Sequence, residues 1–196
     1  MSTQYLEIPA TLFGLLNVYL AARANIWNWL FGVLTVSLYL IIFFYVKLYA
    51  DMGLQVVFLI LQFYGCYEWL YGGEQQSALT VRTANFNIYL IVLLATALLF
   101  FAITYLLRTY TDSTTIYIDA LTTALSLVAQ WMLSKKWIEN WLVWILVDII
   151  AIFMYIQKSL YLTSGLYFVF LLICIMGFYT WRKQDLKNTM TILKSA

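Results

Sequence analysis

Apolar residues run through this chain in blocks about as long as a bilayer crossing, and charged or turn-forming residues separate them. Seven such blocks can be drawn, at 5–22, 29–46, 53–71, 87–107, 115–133, 139–157 and 161–181. About 20 apolar residues suffice to cross the hydrocarbon layer as a helix. The pattern therefore predicts an all-α integral membrane protein with seven transmembrane helices and short connections. Pro9, the only proline, is expected in the first turn of the first helix, where a missing N–H costs little. Gly72-Gly73 reads as a helix C-cap. The polar stretch 182–196 is expected to fray as a cytoplasmic tail. The start, MSTQYLEIPATLFG, lacks a basic leader, so the first helix is expected to stay in the mature protein.

Composition strengthens this picture. Of 196 residues, 64% are hydrophobic and 10% charged, outside the range of soluble domains. A net charge of +2 without a basic run gives no reason to expect nucleic acid. Histidine is absent, which removes the commonest metal ligand and general base. Cys66 and Cys174 sit inside apolar blocks and read as reduced packing residues. No nucleophile–base pair, acidic metal cluster or phosphate-cradling loop is visible, so neither an enzyme nor a cofactor is expected. Basic residues set the orientation. Arg23, Arg82, Lys135, Lys136, Arg182, Lys183, Lys187 and Lys194 fall on one side, and Lys47, Arg108 and Lys158 on the other. This places the C-terminus in the cytoplasm and the N-terminus in the periplasm.

The chain also aligns with itself, without a gap, at a shift of 112 residues. Tyr5 meets Tyr117, Asn28-Trp29-Leu30 meets Asn140-Trp141-Leu142, and Gly53-Leu54 meets Gly165-Leu166. Gly65, Tyr67 and Trp69 meet Gly177, Tyr179 and Trp181, and the charges Glu7 and Arg23 meet Asp119 and Lys135. Apolar segments match easily by chance, but shared Gly, Trp, Asn and charge positions do not. The predicted organisation is one transmembrane domain over 1–196, with repeat one at 5–71, a linker helix at 87–107 and repeat two at 115–181. Three helices plus a linker make an even number of crossings, so both repeats enter the membrane in the same sense. Two parallel halves that rock about a site between them suit a transporter.

Candidate site residues are those where the halves differ. In the sixth block Asp148 stands where repeat one has Val36, and Trp141, Trp144 and Asp148 share a face at i, i+3 and i+7. An ionised group at mid-bilayer costs roughly 2.5–3.5 kcal/mol on insertion scales and is rarely left to face lipid. An acid beside aromatic faces is also what a flat organic cation needs. In the third block Gln55, Gln62, Cys66 and Glu68 differ from their counterparts, and Gln62 shares a face with Trp69. With the tryptophans that share these faces and Trp181, the counterpart of Trp69, the substrate-binding set is Gln55, Gln62, Glu68, Trp69, Trp141, Trp144, Asp148 and Trp181. The competing readings are interhelical glue for Gln62, an interfacial position for Glu68 and packing for the tryptophans. Trp29, Trp137 and the tyrosines near block ends read as an aromatic belt.

Two stretches carry a family resemblance: NWLFGVLTVSLYLIIFFYVKLYADMGLQVVFLILQFYGCYEW and ENWLVWILVDIIAIFMYIQKSLYLTSGLYFVF, the latter closing on Gly177 and Trp181. They resemble the two repeat signatures of the PnuC-type vitamin transporters, over nearly the whole chain. The resemblance implies a SWEET-like fold and uptake of nicotinamide riboside across the bacterial inner membrane by facilitated diffusion, with trapping by a cytoplasmic kinase. It leaves room for a homo-oligomer. Nicotinamide riboside carriers of this type commonly have Asn and Trp at the positions of Gln62 and Cys66, and often Asn at that of Asp148. Close relatives carry thiamine, also a flat cation, and this is the alternative substrate. From another class, the alternative is a non-transporting membrane subunit or substrate-capture module.

Overall fold

The computed structural model describes residues 4–111 and 115–195. Seven long helices form: α1 (Gln4–Ala22), α2 (Asn28–Tyr45), α3 (Tyr49–Tyr71), α4 (Phe86–Tyr110), α5 (Ile116–Ser134), α6 (Asn140–Gln157) and α7 (Tyr161–Ser195). Six are both long and apolar enough to cross a bilayer. The exception is α3, whose 23 residues reach about 35 Å at 1.5 Å per residue. It carries Asp51, Gln55, Gln62 and Glu68, which lower its hydropathy. The protein is an all-α, multi-pass integral membrane protein, as the apolar blocks predict.

Three expectations change. First, α1 begins at Gln4, so Pro9 lies beyond its first turn. Its missing N–H leaves the Tyr5 carbonyl without the usual donor, close to the helix end. Second, α3 begins at Tyr49, four residues before 53. Third, the polar tail does not fray: α7 continues without a break from Tyr161 to Ser195. No Gly or Pro follows Gly177, and the Lys, Arg, Gln and Leu of the tail are good helix formers.

The 112-residue repeat recurs in the backbone. Ala24 (φ 52°) and Lys136 (φ 51°) take left-handed conformations after α1 and α5. Lys47 (φ 62°) and Ser159 (φ 58°) do the same after α2 and α6. Each closes a six-to-one helix end: Asn25 N–H donates to Leu20 O (2.9 Å), Trp137 to Met132 (3.2 Å), Leu48 to Phe43 (2.9 Å) and Leu160 to Tyr155 (2.9 Å). Such φ values disfavour residues with a Cβ, so a conserved turn geometry, rather than a glycine, holds these four positions.

Packing closes a ring. α1 packs on α2, α2 on α3, α3 on α5, α5 on α6, α6 on α7, and α7 on α1. Contacts among α1, α2 and α3 thus correspond to those among α5, α6 and α7, and α1·α7 corresponds to α5·α3. α4 stands outside the ring, against α5. Its stripe Ile88, Val92, Ala95 and Leu99 packs on a cluster holding Val128, Met132 and Trp137. Residues 72–85, between α3 and α4, cross one end of the ring. Leu79 N–H donates to Trp69 O (3.1 Å), Arg82 N–H to Lys136 O (3.1 Å), and Ala84 N–H to a Glu139 carboxylate oxygen (3.0 Å).

Candidate functional site

Beneath residues 72–85 the ring is plugged by four indoles. Trp29, Trp69, Trp141 and Trp181 are each at most 2% exposed. Trp69 contacts Trp29 edge-on (centroids 5.2 Å, 88°), and Trp181 contacts Trp141 the same way (5.4 Å, 88°). Trp69 and Trp181 meet at 5.9 Å and join the two pairs. Trp69 Nε1–H donates to Leu133 O and Trp181 Nε1–H to Ala21 O, both at 3.0 Å. The donors are 112 residues apart and so are the acceptors, so each repeat reaches across to the other in the same way. Glycine makes room for the plug. A methyl added at Gly177 would come within 2.8 Å of the Trp141 ring, and one at Gly65 would collide with Trp29.

Immediately beyond the plug lies a cavity of ≈ 240 Å³. α1 supplies Asn17, α2 Thr35, α5 Gln130, α6 Trp141, Trp144 and Asp148, and α7 Tyr167, Phe170 and Cys174. Trp141, Trp144 and Asp148 thus line one wall, as their helical spacing requires. Asp148 is 4% exposed, and the Cys174 thiol hydrogen-bonds to its carboxylate. Its Oδ2 has no partner among the described atoms, and neither has the Nε1–H of Trp141. Among the described residues no Lys or Arg pairs with Asp148; Lys135 pairs instead with Glu68, at the plugged end. A buried carboxylate without a cation is costly unless something supplies charge or hydrogen bonds, and here it lines a cavity.

At three positions of this wall the two repeats differ. Where repeat two has Trp144, Asp148 and Cys174, repeat one has Gly32, Val36 and Gln62. The Gln62 carboxamide packs directly on Gly32, where an added methyl would overlap it. Thus the long side chain on α3 fills the space that the short Cys174 on α7 leaves open.

The remaining candidates separate. Trp69 and Trp181 belong to the plug and do not line the cavity. Gln62 is buried beside it, 4% exposed, with Oε1 unpartnered. Gln55 lines a second cavity, of ≈ 350 Å³, on the side away from the plug. Glu68 accepts from Lys135 Nζ at 2.7 Å, at the plugged end. The aromatic-belt reading of Trp29 and Trp137 is overturned. Trp29 is in the plug, and Trp137 is 7% exposed and edge-on to Trp131 (5.1 Å, 83°). Both follow sharp turns that fold them inward. Next to Trp137, Lys136 is 9% exposed; its Nζ donates to Leu79 O (2.6 Å) and lies 4.3 Å from the Trp69 ring centroid. Burial pushes its ammonium down to about 8. The polar cavity residues that sequence reasoning missed are Asn17, Thr35, Ser126, Gln130, Tyr167 and Cys174. Each differs from its counterpart (Ala129, Val147, Gly14, Val18, Gln55, Gln62), so comparing the halves over all the helices would have found them, whereas Phe170 matches Phe58 and carries no such signal.

Comparison with known proteins agrees with this architecture. The chain matches the family described as nicotinamide mononucleotide transporter over residues 4–183. It is 27% identical to the nicotinamide riboside transporter PnuC of Escherichia coli (strain K12), over 90% of this chain and 84% of that protein. It is 23% identical to the riboflavin/roseoflavin transporter RibM of Streptomyces davaonensis, over 97% and 90%. The crystal structure of the vitamin B3 transporter PnuC superimposes with a TM-score of 0.74 at 26% identity, covering 93% of this chain and 83% of that one. These relatives are transporters, not enzymes. With 180 of its 196 residues spanned by the family match at 4–183, the chain belongs to the nicotinamide mononucleotide transporter family, alongside the PnuC-type carriers.

Proposed function

We propose that this chain is a bacterial inner-membrane carrier that takes up nicotinamide riboside by facilitated diffusion. The observation that carries the reading is Asp148: a buried carboxylate, without a protein cation among the described residues, on a cavity wall beside Trp144. A nicotinamide ring bearing a positive charge satisfies both groups, by charge and by cation–π contact. Riboflavin, which a relative carries, has a neutral ring and leaves the carboxylate uncompensated. Thiamine is also a flat cation and is the second reading, favoured by the same carboxylate.

In this mechanism the two three-helix repeats are parallel and rock against each other, so the cavity opens alternately to the two sides. Matching turns and the closed ring of helix contacts support that arrangement. The indole plug is the closed cytoplasmic side, the C-terminus is cytoplasmic and the N-terminus periplasmic. Net uptake then follows the gradient that a cytoplasmic kinase maintains by phosphorylating the vitamin. Titrating purified protein with nicotinamide riboside, thiamine and riboflavin is the decisive test. Tightest binding of nicotinamide riboside, weakened in Asp148→Asn, is expected. Tightest binding of riboflavin, or no effect of Asp148→Asn, overturns the reading. Liposomes holding only this protein should equilibrate labelled vitamin without accumulating it; accumulation in the absence of a kinase excludes facilitated diffusion. A C-terminal reporter active only in the periplasm overturns the orientation.

A further inference from the structure

The second cavity has no part in the reading above. It lies at the end of the ring remote from the plug, between Thr11 of α1, Tyr39 of α2, Gln55 of α3, Tyr155 of α6 and Thr163 of α7. At ≈ 350 Å³ it falls within the roughly 300–1,000 Å³ usual for small-molecule sites, whereas the central cavity at ≈ 240 Å³ is smaller. The two share the wall residues Gly14, Thr35, Tyr167 and Phe170. Tyr167 and Phe170 touch (centroids 5.9 Å, 75°), and Tyr155 stacks on Tyr167 (5.2 Å, 28°). Of the four shared wall residues, Tyr167 and Phe170 are the large ones, so two aromatic side chains stand where the cavities meet.

The chemistry of the outer cavity fits the same class of ligand. Its phenol rings offer faces to a flat cation. The Gln55 carboxamide and the threonine hydroxyls offer donors and acceptors to sugar hydroxyls. Asp51 and Asp119, in the first turns of α3 and α5, are near enough for their charges to act on Tyr155. Unlike the central cavity it has no buried carboxylate on its wall.

We propose that this outer cavity is a loading site, which binds the aromatic cation more weakly than the central cavity and passes it inward when Tyr167 and Phe170 part. The proposal rests on the transport reading given above. Without the buried acid and without the Trp144 indole, the stronger cation–π partner than a phenol ring, affinity should be about 30-fold lower than at the central site.

Labelling of an introduced thiol tests it. In the full-length detergent-solubilised Thr163→Cys protein, a cationic methanethiosulfonate modifies residue 163, and peptide mass spectrometry reads the rate separately from Cys66 and Cys174. Nicotinamide riboside should slow that labelling at least 10-fold. The protection should persist at about 30-fold higher vitamin concentration when Trp144→Ala and Asp148→Asn have removed central binding. Adding Tyr155→Ala to that background should abolish it. Thr11→Cys offers a second reporter on another helix, should Thr163→Cys fail to fold. Protection that vanishes together with central binding, or that is absent from both reporters, overturns the loading site. Uptake by the parent protein in liposomes reports on the transport reading independently.

Discussion

The indole plug and the central cavity are neighbours built from the same ring of helices, yet they treat the repeat in opposite ways. In the plug, residues 112 apart are alike: Trp29 with Trp141, Trp69 with Trp181, Gly65 with Gly177, and the acceptors Ala21 and Leu133 occupy equivalent sites. In the cavity they are unlike: Gly32 against Trp144, Val36 against Asp148, Gln62 against Cys174. A surface where two halves meet and part gains from self-complementary packing, since each half meets the same partner. A ligand with one charged ring and one polar end has no twofold axis, so its site gains from breaking the pattern. Symmetry is kept where the halves pack on each other, and it is broken where the cavity opens.

The comparison predicts different consequences for substitutions a few ångströms apart. The largest effect should come from the plug. Trp69→Ala and Trp181→Ala each empty a fully buried indole site and should cost about 3–5 kcal/mol. Thermal unfolding in detergent should show similar losses for both. A loss in only one would mean that the two halves do not share the plug equally. Next is the cavity. Trp144→Ala should weaken nicotinamide riboside binding about 30-fold, or about 2 kcal/mol, with smaller damage to folding than either plug variant. Unchanged affinity in Trp144→Ala, together with Asp148→Asn and Gln62→Ala, would move the site elsewhere. Equal loss of folded protein in all three would make these residues structural. The smallest effect should come from Lys136, beside the plug. Its folded-state value of about 8 lies below the ordinary 10.5. Between those values the unfolded chain binds the extra proton, so this group's contribution to stability rises with pH across that window. Unfolding midpoints of the parent should rise relative to those of Lys136→Met from pH 8 to 10. A parallel pair of curves would show that the ammonium is solvated.

How far the candidate site is legible follows from the reach of each signal. One helix places Trp141, Trp144 and Asp148 on one face whatever surrounds it, and that face lines the cavity. Nothing local to Trp69 or Trp181 signals that they pack on each other, which the structure shows they do. Trp29 and Trp137 looked interfacial because they stand near block ends; the left-handed turns at Ala24 and Lys136 that precede them are not announced by glycine. Gln62 was rightly singled out as unlike its counterpart, but its carboxamide packs on Gly32 of the neighbouring helix, a pairing no spacing along α3 reveals.

The sequence by itself determined the membrane class, the helices, the repeat and the one acid on an aromatic face. Hydropathy, helical periodicity and self-alignment are properties of the chain taken in order. Only the tertiary structure decided which tryptophans seal the ring and which line a cavity, which residues of the two halves meet around that cavity, and that a second one lies beside Tyr167 and Phe170. Those outcomes depend on side chains from different helices competing for the same space, and the order of residues along the chain does not record who wins.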